Sequence, residues 1–122
     1  VIYLSFIILL TSARCDNGES SVGEKKTQSG IPACINETIA ALKAENVRNP
    51  PASVWELTMD SGQTYYYIPA YCCDMYSDLL TTDCEVICHP DGGFTGKGSG
   101  DCPDISSAKK TLIWQDERTN QN

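Results

Sequence analysis

The chain has 122 residues, with 16 Asp plus Glu against 9 Lys plus Arg and a formal net charge of −7. That length suits one domain rather than two, and the acidic balance argues against nucleic acid, which rewards clustered Lys and Arg, and against a polybasic membrane surface. Seven cysteines in so short a chain predict disulfide staples in an oxidising compartment, because a core built from about 85 residues is marginal without reinforcement.

Residues 1–10 read VIYLSFIILL, interrupted only by Ser5. A bilayer-spanning helix needs roughly 20 apolar residues, so this run matches the apolar core of a signal peptide instead. No initiator Met and no positive charge precede it, so the natural chain is expected to start upstream. Thr11-Ser12-Ala13-Arg14-Cys15 follows. It resembles a bacterial lipobox, in which small residues precede a cysteine that receives diacylglycerol, and it departs from that pattern at Arg14. Cys15 is the expected lipidation site. Ordinary cleavage after Ala13, leaving Cys15 as a free thiol, is the alternative. Residues 1–15 therefore read as a signal and lipobox-like segment.

Residues 16–30 read DNGESSVGEKKTQSG. With one Val among Gly, Ser and charge, the segment cannot bury enough apolar area to offset the entropy of ordering. It reads as a flexible tether with a reach of roughly 20 Å. A single disulfide-rich domain is expected over residues 31–118, and residues 119–122 form a polar tail.

Pro32 suits a helix first turn, where its missing N–H costs nothing. Ile35, Ile39 and Leu42 make one apolar stripe, and Asn49-Pro50-Pro51 is the expected stop. Ser53 to Met59 alternates, with Trp55, Leu57 and Met59 on one side and Val54, Glu56 and Thr58 on the other. Gln63 to Ile68 carries three consecutive Tyr, rich in strand preference. Asp60-Ser61-Gly62 between them gives a hairpin signature. Glu85 to Cys88 and Thr111 to Trp114 are further short strand candidates. The expected fold is α+β: one N-terminal helix packed on a small, mostly antiparallel sheet and stapled by three disulfides.

Cys34, Cys72, Cys73, Cys84, Cys88 and Cys102 form an even set beside the lone Cys15. Adjacent Cys72 and Cys73 are not expected to bond each other, because neighbouring residues force strained disulfide geometry. On a strand their side chains would point to opposite faces. The expected pairs are Cys34–Cys72, Cys73–Cys88 and Cys84–Cys102.

The run Tyr66-Tyr67-Ile68, then Cys72-Cys73-Asp74, Asp83-Cys84, Ile87-Cys88 and Pro90-Asp91-Gly92-Gly93-Phe94-Thr95-Gly96 resembles a family of small secreted, cysteine-rich domains of unknown function found in lipoproteins of Bacteroidota-type bacteria. The resemblance covers about two thirds of the chain. It implies an exported, cysteine-stapled module and brings no activity with it. Gly98-Ser99-Gly100 departs from the family, where an acidic residue is expected between the two glycines.

Catalytic and cofactor chemistries fit poorly. Cys84-x-x-x-Cys88 with Cys72, Cys73, Cys102 and His89 offers zinc-type ligands but no paired knuckles, and no Cys-x-x-Cys redox motif is present. The Gly-rich stretch fails the Walker pattern, having Asp91 where Gly is required and Gly98 after Lys97. Asp91, Asp101 and Asp104 could supply oxygens to Ca²⁺, yet their spacing matches no EF-hand. His89, the single histidine, sits between Cys88 and Pro90 with no serine in a nucleophile turn nearby. Asn36-Glu37-Thr38 is a formal glycosylation sequon inside the expected helix.

The reading is therefore non-catalytic, with no cofactor and no metal site. It is an exported, lipid-anchored binding or structural module at the cell envelope, an outer-membrane lipoprotein or a secreted protein. Its membrane contact is through a lipid anchor only, and its partner is a protein or glycan at the cell surface. The candidate contact surface is the loop from Pro90 to Asp104, carried by Asp91, Gly92, Gly93, Lys97, Asp101 and Asp104, with an exposed Tyr as a further contact. The alternative is a protease-inhibitor-like module that presents the Gly-rich loop around Lys97.

Overall fold

The computed structural model describes residues 30–119. The expected signal segment with Cys15, the tether through residue 29 and the tail from residue 120 lie outside the described residues. The elements in chain order are α1 (Ala33–Ala44), β1 (Ser53–Thr58), β2 (Thr64–Ile68), β3 (Asp78–Leu80), β4 (Val86–Cys88) and β5 (Lys109–Gln115). The strands form one sheet in the order β4-β3-β2-β1-β5, and every neighbouring pair is antiparallel. One N-terminal helix on an antiparallel sheet is the expected α+β arrangement. Among the described residues no helix is long and apolar enough to cross a membrane.

Both faces of the sheet are covered, by different means. On one face Ile35, Ile39 and Leu42 of α1 bury against Val54, Tyr66 and Leu80. On the other, Leu57, Leu79 and Cys88 lie beneath Tyr65, Tyr67, Cys102, Ile105 and Ala108. The period-2 alternation of strands explains the split: Tyr66 goes to the helix, while its neighbours Tyr65 and Tyr67 go to the loop side. The β1–β2 hairpin turns through Gly62, whose φ of 88° is open to glycine at no steric cost. Its N–H donates to the Met59 carbonyl at 2.9 Å.

Three elements depart from expectation. α1 stops at Ala44, well before the prolines, where Glu45 is already extended at φ −80° and ψ 167°, and Arg118 reaches back across the chain to the carbonyls at that end. The guanidinium donates to the Lys43 oxygen at 2.9 Å and the Glu45 oxygen at 3.2 Å. It is held there by buried Asp116, at 2.9 and 2.7 Å to the two carboxylate oxygens. Those hydrogen bonds from Arg118 hold the Asp116 carboxyl below the usual range. β3 was not expected at all: Asp-Leu-Leu carries no strand alternation or β-branching, and its two leucines simply bury on opposite faces. β5 runs longer than expected, pairing with β1 along Ser53 to Thr58 across a bulge between Val54 and Trp55.

The disulfide pairing also differs. Cys34 bonds Cys84, and Cys88 bonds Cys102. The expected Cys34–Cys72, Cys73–Cys88 and Cys84–Cys102 pairs do not form. Their premise was that Cys72 and Cys73 lie on a strand; β2 ends at Ile68, and the two cysteines sit in a turn beyond it, exposed and free. Cys84 lies in the β3–β4 turn, where Cys84 N–H donates to the Thr81 carbonyl at 2.9 Å, and there it meets the first turn of α1.

Candidate functional site

The Gly-rich segment leaves the end of β4 and returns through the Cys88–Cys102 bond, fourteen residues apart. A loop with five glycines between Pro90 and Cys102 would wander if only its ends were held. Here it is fastened along its length. Asp91 turns inward and accepts two hydrogen bonds, from the Tyr67 hydroxyl at 2.6 Å and the Ser77 hydroxyl at 2.5 Å. Ser77 is almost wholly buried and its oxygen also accepts from the Ala70 N–H at 2.9 Å. Burial first, and the hydrogen bond to Asp91 second, push the Tyr67 hydroxyl up to about 12. Tyr67 thus stays a donor to the carboxylate throughout the physiological range.

Backbone pairing continues the fastening. Ser77 N–H donates to the Asp91 carbonyl, Gly93 N–H to that of Met75, and Gly98 N–H to that of Gly92, at 3.2, 3.2 and 3.1 Å. Ser99 N–H donates to the His89 carbonyl at 2.8 Å, and the Ser99 hydroxyl accepts from His89 N–H at 3.0 Å. Gly98 packs directly against backbone: a Cβ there would lie 1.9 Å from the His89 carbonyl oxygen.

His89 is a strut of this base. Its Nδ1 lies 3.0 Å from both the Ser77 carbonyl and an Asp78 carboxylate oxygen. Both are acceptors, so the hydrogen-bond network assigns the proton to Nδ1. The ring stacks on Tyr76 with centroids 4.8 Å apart. Among the described residues, the contacts of the His89 ring include no serine hydroxyl, and Ser77 offers it a carbonyl.

The six residues expected to form the contact surface divide into separate roles. Asp91, Lys97 and Asp104 line one shallow cleft of about 380 Å³, beside His89. The Asp91 carboxylate is nevertheless committed to Tyr67 and Ser77. Asp101 accepts a hydrogen bond from Ser99. Asp104 accepts the Ser106 N–H at 3.0 Å, and hydrogen bonds from the Ser106 side chain and backbone lower its carboxyl. Gly92 and Gly93 shape the base, pairing with Tyr76 and Met75. Among the described residues, no three of His, Cys, Asp and Glu group as ligands for a metal ion.

What residue-by-residue reading passed over is Phe94. It stands at the tip of this fastened loop and is 91 % exposed, far more than any other large apolar side chain among the described residues. Lys97 beside it is also exposed. The available signal was an aromatic placed directly after Gly92-Gly93 in a stretch with no strand or helix period, where no core position exists to receive it. The further exposed Tyr was expected from the Tyr65-Tyr66-Tyr67 run, but Tyr66 is buried and Tyr65 and Tyr67 pack half-buried on the loop-side core, so none of the three is exposed. Tyr71 and Tyr76 are the exposed tyrosines near the base.

A protein family described as a domain of unknown function (DUF6970) matches residues 40–116. Comparison with curated proteins and with solved structures finds no match.

Proposed function

The chain belongs to the DUF6970 family of domains of unknown function, and from the geometry of its fastened loop we propose that it is an exported, lipid-anchored, non-catalytic binding module whose contact residue is Phe94. The observation that carries this is the pairing of full exposure at Phe94 with a rigid base beneath it. An exposed aromatic on a mobile loop would lose its binding energy to ordering. On a pre-ordered loop that cost is already met in folding. Aromatic anchors of this kind dominate interface energetics. The partner is a protein or glycan at the cell surface. Phe94→Ala is expected to leave the melting temperature within about 2 °C, since exposed side chains contribute little to stability. It should weaken partner binding at least tenfold, read on an array of immobilised glycans or on intact cells. Unchanged binding would remove Phe94 from the role.

The anchor rests on the apolar run at residues 1–10 and on Cys15, together with the resemblance to Bacteroidota-type lipoproteins. The full chain, given a complete signal peptide, should take up labelled fatty acid, and Cys15→Ala should abolish the label. Release with an N-terminus at Arg14 would show ordinary cleavage instead. Full oxidation of the six domain cysteines to three disulfides belongs to the same exported reading. Protease inhibition through Lys97 draws less support, because Gly96 and Gly98 at φ 73° and 68° fold that residue into a tight turn, whereas a protease cleft takes an extended segment.

A further inference from the structure

Four of the domain's cysteines are paired in the fold, as Cys34–Cys84 and Cys88–Cys102. Cys72 and Cys73 are left, and both are exposed. They occupy a turn in which Met75 N–H donates to the Cys72 carbonyl at 3.2 Å. Cys73 has φ 62°, a left-handed conformation that a residue with a Cβ adopts only under constraint. An extended chain would send the two side chains to opposite faces. In this turn, off any strand, both are free and exposed neighbours, and a hydrogen bond to Cys73 pushes the Cys72 thiol up.

We propose that Cys72 and Cys73 are a redox-modification site, two adjacent thiols that close into a small disulfide ring when they meet a disulfide donor. The step balances as a double exchange. One cysteine, as its thiolate, attacks a donor R–S–S–R, forming a mixed disulfide and releasing RS⁻. The second thiolate then attacks the protein sulfur of that mixed disulfide and expels the other RS⁻. Two protein thiols are oxidised, one donor disulfide is reduced to two thiols, and the protons pass to the departing thiolates. The donor is a low-molecular-weight or protein disulfide of the kind an oxidising compartment supplies, so the physiological setting rests on the exported reading.

The ring is poised to be reversible. Neighbouring Cα atoms across a trans peptide are about 3.8 Å apart, below the usual disulfide span of about 4.4–6.8 Å. Strained and exposed disulfides are the easily reduced ones. By contrast Cys88 is buried in the loop-side core. The couple is flanked in sequence by Tyr71, Met75 and Tyr76, all large and exposed.

The test uses the purified full chain. Mild dithiothreitol should open Cys72–Cys73 first and leave the other two bonds closed. Oxidised glutathione should then return the peptide carrying both cysteines to a mass two hydrogens lighter, with no glutathione retained and no dimer. In Cys72→Ser the lone Cys73 has no resolving partner and should retain glutathione. A stable adduct on the unaltered protein, a covalent dimer, a link from Cys15 to either residue, or two persistently free thiols would each overturn the proposal. Retention of the full chain in the cytoplasm would remove the export reading, yet ring closure by added glutathione would still occur.

Discussion

Replacing Cys34 and Cys84 together by alanine is expected to lower stability by about 4 kcal/mol, the chain-entropy value for a closed loop of this size. The bond spans 50 residues, and the enclosed segment contains β1, β2 and β3. It ties the first turn of α1 to the β3–β4 turn, so its loss frees the helix layer from the sheet at that end. For a domain near 90 residues, each kcal/mol corresponds to about 4–8 °C, so a fall of roughly 15–30 °C should appear in a thermal melt. A second variant sharpens the account. Cys84 has φ 63°, and alanine keeps the cost of that left-handed conformation while glycine relieves it. Cys34→Ala with Cys84→Gly should therefore recover about 1 kcal/mol relative to the double alanine. A loss below about 1 kcal/mol in the double alanine would show that packing of Ile35, Ile39 and Leu42 alone seats the helix.

Gly98→Ala should be the most damaging single change in the Gly-rich loop. The left-handed backbone at φ 68° costs about 1–3 kcal/mol for a residue with a side chain. The added Cβ would also meet the His89 carbonyl oxygen at 1.9 Å and the Pro90 carbonyl carbon at 2.7 Å. Those atoms are backbone and cannot rotate away. The Ser99–His89 pairing must open to make room. Gly96→Ala is the control: its φ is 73°, but a Cβ there meets nothing within 4 Å. It should bear the conformational cost of about 1–2 kcal/mol and no steric one. Thermal melts of the two variants should therefore separate clearly. Equal losses would mean that close backbone approach at His89 does not hold the loop.

The parts of this fold that were legible in the sequence are those with local causes. The stripe of Ile35, Ile39 and Leu42 announces α1, and Asp60-Ser61-Gly62 announces the hairpin. What was not legible depends on distant partners. Nothing near Ala44 says that the helix ends there, because the group that satisfies its carbonyls is Arg118. Nothing in Asp78-Leu79-Leu80 reads as strand, because its extended form comes from having β2 on one side and β4 on the other. The cysteine pairing failed because it placed Cys72 and Cys73 on a strand, whereas β2 ends at Ile68 and the two lie beyond it in a turn. At the candidate site, the Gly-rich loop could be anticipated from composition, but its closure by Cys88–Cys102 could not, since the expected pairs join Cys88 to Cys73 and Cys102 to Cys84. The division of labour within it could not. Asp91 reads as a ligand until Tyr67 and Ser77 are seen to occupy it, and Phe94 reads as an ordinary apolar residue until its exposure is known.

The central claim is that a rigid loop presents Phe94 to a surface partner. Its most direct test is site-specific photo-crosslinking with the full chain displayed on intact cells. A photoreactive aromatic residue replaces Phe94 in one variant and Asp60, exposed in the β1–β2 hairpin, in the other. Position 94 should yield one discrete adduct that is competed away by the unaltered protein, and position 60 should yield none. Equal labelling from both positions, or none from position 94, would contradict the account.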